Sequence, residues 1–178
     1  MNNIYIYDLS YVNNYDLPLN ILEHVNRYKI EKKRNISNTM YYLLGLKLEN
    51  IGLSLIDLYF FNNKPLIKGI NISLSHSDHY ICIMISDSLC GIDTEPIINK
   101  NIDKLKKLIL NDKDIEENID LELTKRWTLL ESYYKIHGGN FFDLFNKDIE
   151  GNSIIINNSV ISYIGKCDII YLNDKKYL

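Results

Sequence analysis

Three carboxylates and a lysine are the residues of this sequence best suited to chemistry. Asp93 and Glu95 are two positions apart at the end of an apolar run, so on a strand both side chains point to one face. Glu131 precedes Lys135 by four residues, which places both on one side of a helix. Carboxylate oxygens bind Mg²⁺, and an ammonium group can contact a phosphate oxygen. The set therefore predicts a divalent-cation site that acts on a pyrophosphate.

Each of these residues also has an ordinary structural interpretation. Taken alone, Asp93 and Glu95 are typical of a solvated strand end, and Glu131 with Lys135 is typical of an amphipathic helix with an ion pair. The combination favours the chemical interpretation. In it, Glu131 lies at the boundary between core and cleft, where a carboxylate completes a metal site or acts as a general base.

Four further residues are candidate phosphate contacts. Ser75 and His76 follow a strand, and Lys64 precedes a proline that would fix its position. Arg34 belongs to a basic cluster that suits a nucleotide phosphate. A structural turn, a solvated turn lysine and a solvated helix face are the alternatives. The formal net charge of −3 provides no global basic field, so we expect no nucleic-acid partner.

The spacing of apolar residues indicates the elements that position these groups. Periods of 3.6 residues predict helices, and alternation with β-branched and aromatic residues predicts strands. The predicted helices span 19–33, 37–50, 102–110 and 121–137, and the predicted strands span 4–9, 54–61, 70–74, 80–86, 89–92, 153–156, 160–164 and 168–172.

This order of elements predicts an α+β fold of two lobes, residues 1–96 and 97–178. Largely antiparallel sheets are expected, with helices packed on them. We expect a hairpin around residues 87–88, and a glycine pair at 138–139 that ends the last long helix.

Composition places the chain among globular proteins. It has 178 residues, of which 46% are hydrophobic, enough for a sizeable core. The cysteines Cys82, Cys90 and Cys167 are too few and too widely spaced for a disulfide framework, and we expect small buried residues. The sequence lacks a signal-peptide pattern and a run of 18 apolar residues. It therefore predicts a cytoplasmic protein with no membrane contact, and we also expect a monomer.

Three motifs in series resemble the 4′-phosphopantetheinyl transferases of the surfactin-synthetase-activating type. They are Asn-Ile-Ser-Leu-Ser-His-Ser-Asp at 71–78, Gly-Ile-Asp-Thr-Glu at 91–95 and Trp-Thr-Leu-Leu-Glu-Ser-Tyr-Tyr-Lys at 127–135. The resemblance covers roughly residues 27–140. It implies two similar lobes related by pseudo-twofold symmetry, with coenzyme A bound between them.

The resemblance also implies a reaction. Mg²⁺ would be held by Asp93, Glu95 and Glu131 together with the coenzyme A pyrophosphate. Glu131 would activate the serine hydroxyl of an acyl or peptidyl carrier protein, with Lys135 as the second catalytic residue. The serine oxygen would attack the β-phosphate, take up the phosphopantetheine arm and release 3′,5′-ADP. The implied coenzyme A contacts are Arg34, Lys64, Ser75, His76 and Lys135.

The sequence departs from the family pattern directly before the third carboxylate. Leu130 stands where the family usually has a lysine, and Ser73 stands where an asparagine is common. We expect Leu130 to be partly exposed at the edge of the cleft. The missing cation leaves two alternatives open. One is a degenerate homologue that binds coenzyme A without transfer, and the other is a metal-dependent phosphoesterase that uses the same carboxylates.

Overall fold

The computed structural model describes residues 2–9, 12–100, 102–110 and 117–172, and these form a mixed α and β fold. The helices are α1 (Leu19–Val25), α2 (Glu31–Glu49), α3 (Ile102–Ile109) and α4 (Ile119–His137), with short 3-10 helices at Leu55–Asp57 and Phe141–Leu144. The strands are β1 (Asn2–Asp8), β2 (Tyr59–Phe61), β3 (Lys64–Leu66), β4 (Asn71–His76), β5 (Tyr80–Ser86), β6 (Gly91–Pro96), β7 (Asn152–Ile156), β8 (Ser159–Ile164) and β9 (Asp168–Leu172).

The first sheet has the order β4-β5-β1-β9, and β5 lies between two clusters of buried hydrophobic residues. All seven residues of β5 are buried, as expected for a strand covered on both faces. Ile83 and Ile85 pack in the cluster formed by α1 and α2. Cys82 and Met84, which point the opposite way, pack with Ile92 of β6. One strand thus joins the helical layer to the second sheet.

The second sheet has the order β6-β8-β7 and is antiparallel throughout. Helix α4 packs on it through small polar side chains. The hydroxyls of Thr128 and Ser162 are 2.6 Å apart, and the Ser132 hydroxyl donates to the Ser162 carbonyl oxygen at 2.9 Å. These buried side chains are short, so the helix and the sheet lie close together.

Gly91 allows the closest approach between β6 and α4. A Cβ at this position would collide with the carbonyl oxygen of Ser132 and would lie 2.9 Å from Cγ1 of Ile136. The obstacle is helix backbone, which cannot rotate away as a side chain can. Glycine at the start of the second motif is therefore required by packing.

The structure confirms several predicted elements and corrects others. β5 spans the predicted residues, and α4 ends at the predicted glycine pair, whose φ angles are 64° and 94°. The predicted helix over 19–33 is wrong, because α1 ends at Val25 and α2 begins at Glu31. The predicted strand over 54–61 begins with a 3-10 helix instead. The predicted hairpin at 87–88 is also wrong, because β5 and β6 belong to different sheets.

Each half of the chain supplies a strand to the other half's sheet. β6, which precedes residue 97, pairs with β8, and β9 at the end of the described chain pairs with β1. The β1–β9 pair is parallel, whereas the other paired strands of the two larger sheets are antiparallel. The sheets are thus largely antiparallel, as expected, and the division at residue 96 stays a prediction.

The three cysteines are free thiols. Cys82 and Cys90 are buried, as the sequence predicted, and Cys167 is partly exposed. Burial raises the pKa of the Cys90 thiol to about 12, so it is an inert packing residue at neutral pH. Across the described ranges, the helices are either too short or too polar to cross a bilayer.

Candidate active site

The three motifs, which are far apart in the sequence, meet at the carboxylate of Asp93. The Ser75 hydroxyl of β4 donates a hydrogen bond to Oδ1 of Asp93 at 2.8 Å. The Lys135 ammonium of α4 donates to the same oxygen, also at 2.8 Å. Each motif therefore contributes one side chain to a single hydrogen-bonded cluster.

Strand alternation explains how β6 presents its carboxylates. Gly91 faces α4, so Asp93 and Glu95, two and four residues later, point to the same side. Glu131 and Lys135 lie one turn apart on α4. The structure confirms that both pairs occupy one face of their element, as the spacing predicted.

Two serines connect β4 to β6, although these strands belong to different sheets. Ser73 Oγ accepts a hydrogen bond from the Ile92 amide at 3.0 Å, and Ser75 Oγ accepts one from the Thr94 amide at 3.2 Å. Both serines are buried. Contact of Ser75 with a phosphate stays a prediction; in this structure its hydroxyl orients Asp93 and accepts from the Thr94 amide of β6.

Lys135 completes the same connection from the helix. Its ammonium donates to the carbonyl oxygens of Ile92 at 2.9 Å and Leu74 at 3.2 Å, in addition to Oδ1 of Asp93. An ammonium group has three N–H donors, and these three acceptors match that number. The lysine side chain is 28% exposed, so it retains some access to solvent.

The acids around Lys135 are strongly coupled. Oδ2 of Asp93 is buried without a hydrogen-bond partner, and the residue as a whole is 5% exposed. Burial, followed by the negative charge of Asp93, raises the pKa of Glu95 to about 7. The same two causes raise the pKa of Glu131, and Lys135 opposes both shifts. The three carboxylates are therefore close enough for the charge of one to affect the ionisation of the others.

Carboxylates are the ligand type that a hard divalent cation prefers. In the part of the chain that the structure describes, no group of three or more His, Cys, Asp or Glu side chains is placed so that it could hold a metal ion. The orphaned Asp93 oxygen is nevertheless a free acceptor, and two carboxyl groups with raised pKa values would be stabilised by a cation. Cation binding would therefore involve adjustment of the Glu95 and Glu131 side chains.

A cavity of about 710 Å³ adjoins this cluster. Lys64 of β3 and Lys135 of α4 both line it, so two positively charged side chains from different elements border the cavity. Lys64 follows Asn62 and Asn63, whose φ angles of 49° and 63° form the turn between β2 and β3. The rest of the lining is largely aromatic and apolar, and includes His24, Tyr28, Met40, Tyr41, Phe61, Pro65, Ile72, Leu74, Tyr134 and Ile136.

The two remaining candidate phosphate contacts differ in position. His76 ends β4, and its pKa is lowered by burial, followed by the charges of Lys135 and Lys33. It is therefore near the cationic part of the cluster, in a form that is mainly neutral at pH 7. Arg34 donates to the carbonyl oxygens of Tyr28 at 3.1 Å and Lys29 at 3.4 Å. The guanidinium thus braces the turn before α2.

His24 is a cavity residue that sequence reasoning missed. Its ring stacks on Phe60 with the centroids 4.0 Å apart, and its Nδ1 is buried without a partner. Burial, followed by the nearby charge of Arg27, lowers the pKa of His24. Nothing in its helical spacing separates it from an ordinary core histidine, so the sequence offered no signal.

Leu130 corrects an expectation. The residue is fully buried, whereas partial exposure at the cleft edge was expected. It packs in the cluster of Ile109, Leu123 and Leu144, which joins α4 to α3 and to the 3-10 helix at Phe141–Leu144. The neighbouring Glu131 turns toward the carboxylates because consecutive helical residues point about 100° apart. The leucine therefore belongs to the core.

No model of a known protein family matches this chain, and no curated protein matches it significantly. The family suggested by the three motifs accordingly stays a proposal, which rests on those residues and on the geometry of the site.

Proposed function

We propose that this protein is a 4′-phosphopantetheinyl transferase. It would move the 4′-phosphopantetheine arm of coenzyme A to a serine of an acyl or peptidyl carrier protein and release 3′,5′-ADP. The observation that carries the proposal is the meeting of all three motifs at Asp93, through Ser75 and Lys135, each 2.8 Å from one carboxylate oxygen. Convergence of the three motifs on one carboxylate supports a shared role for them.

The three carboxylates have two proposed roles, cation binding and general-base catalysis. Asp93, with its unpartnered Oδ2, and the carboxylates of Glu95 and Glu131 would hold Mg²⁺, which neutralises charge on the pyrophosphate. Glu131 is the candidate base for the carrier serine, directly or through water, because the third motif places its carboxylate close enough to Asp93 for the two charges to interact. The serine proton passes to this carboxylate as the oxygen attacks the β-phosphate.

The adjoining cavity is the proposed coenzyme A site. Lys64 lines it from the hairpin of β2 and β3, and aromatic side chains provide apolar surface for the rest of the ligand. Charge neutralisation and positioning account for most of the acceleration in transfers at phosphorus, so a cation and two lysines around one cavity suit the reaction.

Two similar lobes with a cleft between them are part of the same proposal. The support is that each larger sheet is accompanied by one long helix of 19 residues, α2 in the first half and α4 in the second. Residues 1–96 and 97–178 would be the two lobes, with β6 and β9 exchanged between their sheets.

The decisive experiment is incubation of the protein with coenzyme A and a panel of apo carrier proteins, with and without Mg²⁺. We expect a mass increase on a carrier that requires Mg²⁺. Glu131→Gln should abolish it without loss of fold, because the amide cannot take the serine proton. Glu122→Gln is the matched control, since Glu122 lies on the same helix but pairs with Lys125.

Other outcomes would assign the site differently. Coenzyme A binding without modification of any carrier would identify a degenerate homologue. Hydrolysis of phosphoesters without transfer would identify a metal-dependent phosphoesterase. Near-normal turnover of Glu131→Gln at low Mg²⁺ would remove Glu131 from the reaction.

A further inference from the structure

All three N–H donors of the Lys135 ammonium group are used by acceptors within the protein. This suggests a role for Lys135 beyond contact with a phosphate. Its three acceptors come from two strands: Leu74 of β4, and Ile92 and Asp93 of β6. Each strand lies at the edge of its own sheet, β4 in the first and β6 in the second. One ammonium group on α4 therefore ties both sheet edges to the helix.

The charge of Lys135 matters as much as its hydrogen bonds. Asp93 is almost completely buried, and a buried carboxylate without a counter-charge is strongly destabilising. Glu95 shares a face of β6 with Asp93, and Glu131 lies one turn before Lys135 on α4, so both add like charges near Asp93 when they are ionised. A positive group 2.8 Å from Asp93 offsets this repulsion at the place where a divalent cation would otherwise do so.

We propose that Lys135 is a resident cation of the carboxylate cluster, which neutralises Asp93 and holds the two sheet edges together when no divalent cation is bound. Lys135 and a divalent cation then compete for the charge of Asp93. Lys135 acts through Asp93 and is a positioning residue for the metal site. The inference rests on the proposed function in one respect, since it takes Asp93, Glu95 and Glu131 as cation ligands.

The test compares Lys135→Met with Lys125→Met in the full chain. Lys125 is on the same helix, is 30% exposed and forms a 2.7 Å ion pair with the partly exposed Glu122, so it matches Lys135 in charge and exposure but has no buried carboxylate as its partner. Thermal unfolding is measured with EDTA and with Mn²⁺, a hard cation suited to carboxylate ligands. Mn²⁺ affinity is measured by calorimetry.

We expect Lys135→Met to lose about 5–10 °C in melting temperature in EDTA, and Lys125→Met to stay within about 2 °C of wild type. Mn²⁺ should restore at least half of the loss in Lys135→Met. Its dissociation constant should be at least about tenfold lower than in the wild type, because a competing positive charge has been removed. A Lys125→Met protein should bind Mn²⁺ as the wild type does.

A Lys135→Met protein that binds Mn²⁺ no more tightly than wild type, or that is as stable in EDTA as Lys125→Met, overturns the resident-cation role alone. If the wild type and both variants fail to bind Mn²⁺, the metal site and this inference are both overturned. The proposed transfer is then tested separately, by whether the wild type modifies a carrier protein. If Lys135→Met does not fold, Lys135→Gln keeps amide donors without the charge and should show the same tighter Mn²⁺ binding.

Discussion

Replacement of Gly91 by alanine tests whether contact between β6 and α4 builds the site. The added Cβ would collide with the Ser132 carbonyl oxygen and would lie 2.9 Å from the Ser132 carbonyl carbon. Because the obstacle is helix backbone, α4 must move away from β6. Gly91 is absent from the residues with positive φ, so the backbone itself accepts alanine without strain.

The magnitude follows from two opposing effects. Overpacking of this kind costs about 3 kcal/mol, the upper part of the usual range, because backbone has to shift. Alanine recovers up to about 1 kcal/mol by restricting the unfolded chain. The net loss of about 2 kcal/mol corresponds to a fall in melting temperature of about 4–8 °C for a chain of this size.

Gly45→Ala is the matched control. A Cβ at Gly45 would lie 2.8 Å from Cδ1 of Leu55, a methyl group at the end of a side chain that can rotate. Gly45 is inside α2, where alanine is favoured by about 1 kcal/mol. We expect Gly45→Ala to match or exceed the wild-type melting temperature. Thermal unfolding followed by circular dichroism distinguishes the two variants.

A second measurement connects this packing to the site. Movement of α4 carries Glu131, a proposed ligand, away from Asp93 and Glu95, so Gly91→Ala should also weaken Mn²⁺ binding, whereas Gly45→Ala should not. A Gly91→Ala protein that melts no lower than Gly45→Ala would refute the reasoning. It would show that the interface between β6 and α4 has more space than the structure indicates.

Three further predictions concern single features of the molecule. Leu130→Lys should lower the melting temperature by about 10 °C, because an unpaired lysine would enter the core; unchanged stability with faster transfer would contradict the buried position. The pKa of Glu95 is raised from 4.5 to about 7, so the folded state binds a proton that the unfolded chain has lost, and without divalent cations this contribution to stability should be lost as pH rises from about 4.5 through 7. Glu95→Gln should flatten this melting profile, and an unchanged slope would exclude Glu95 as its source. Lys107 is exposed and Lys106 is partly exposed on α3. Replacement of both by Glu should slow association with the carrier protein more than it weakens coenzyme A binding, which stopped-flow kinetics at two salt concentrations would measure.

The sequence was most informative where a pattern is local. The apolar run of β5 and the helical spacing of apolar residues along α4 are properties of consecutive residues, and both elements lie where they were predicted. The shared face of Asp93 and Glu95 follows from strand geometry alone. These local rules were enough to place the carboxylates correctly on their elements.

Strand pairing and burial were harder to predict, because they depend on distant residues. β6 follows β5 after a short turn, which favours a hairpin, but β6 pairs with β8 instead. Leu130 could face either the cleft or the core until the position of α3 is known. The role of Ser73 depends on a backbone amide of another sheet, and no sequence spacing reveals that partner.

The site lies where two sheet edges meet, and the fold itself explains why polar residues collect there. β4 and β6 are edge strands of separate sheets, so part of their backbone lacks a partner in a ladder. Side chains satisfy these groups: Ser73 accepts from the Ile92 amide, and Lys135 donates to the Ile92 carbonyl. Buried polar groups must be satisfied, so this junction needs hydroxyl and ammonium groups for stability. The same groups hold Asp93 in place, so the residues that join the two sheets also fix the carboxylate at the centre of the candidate site.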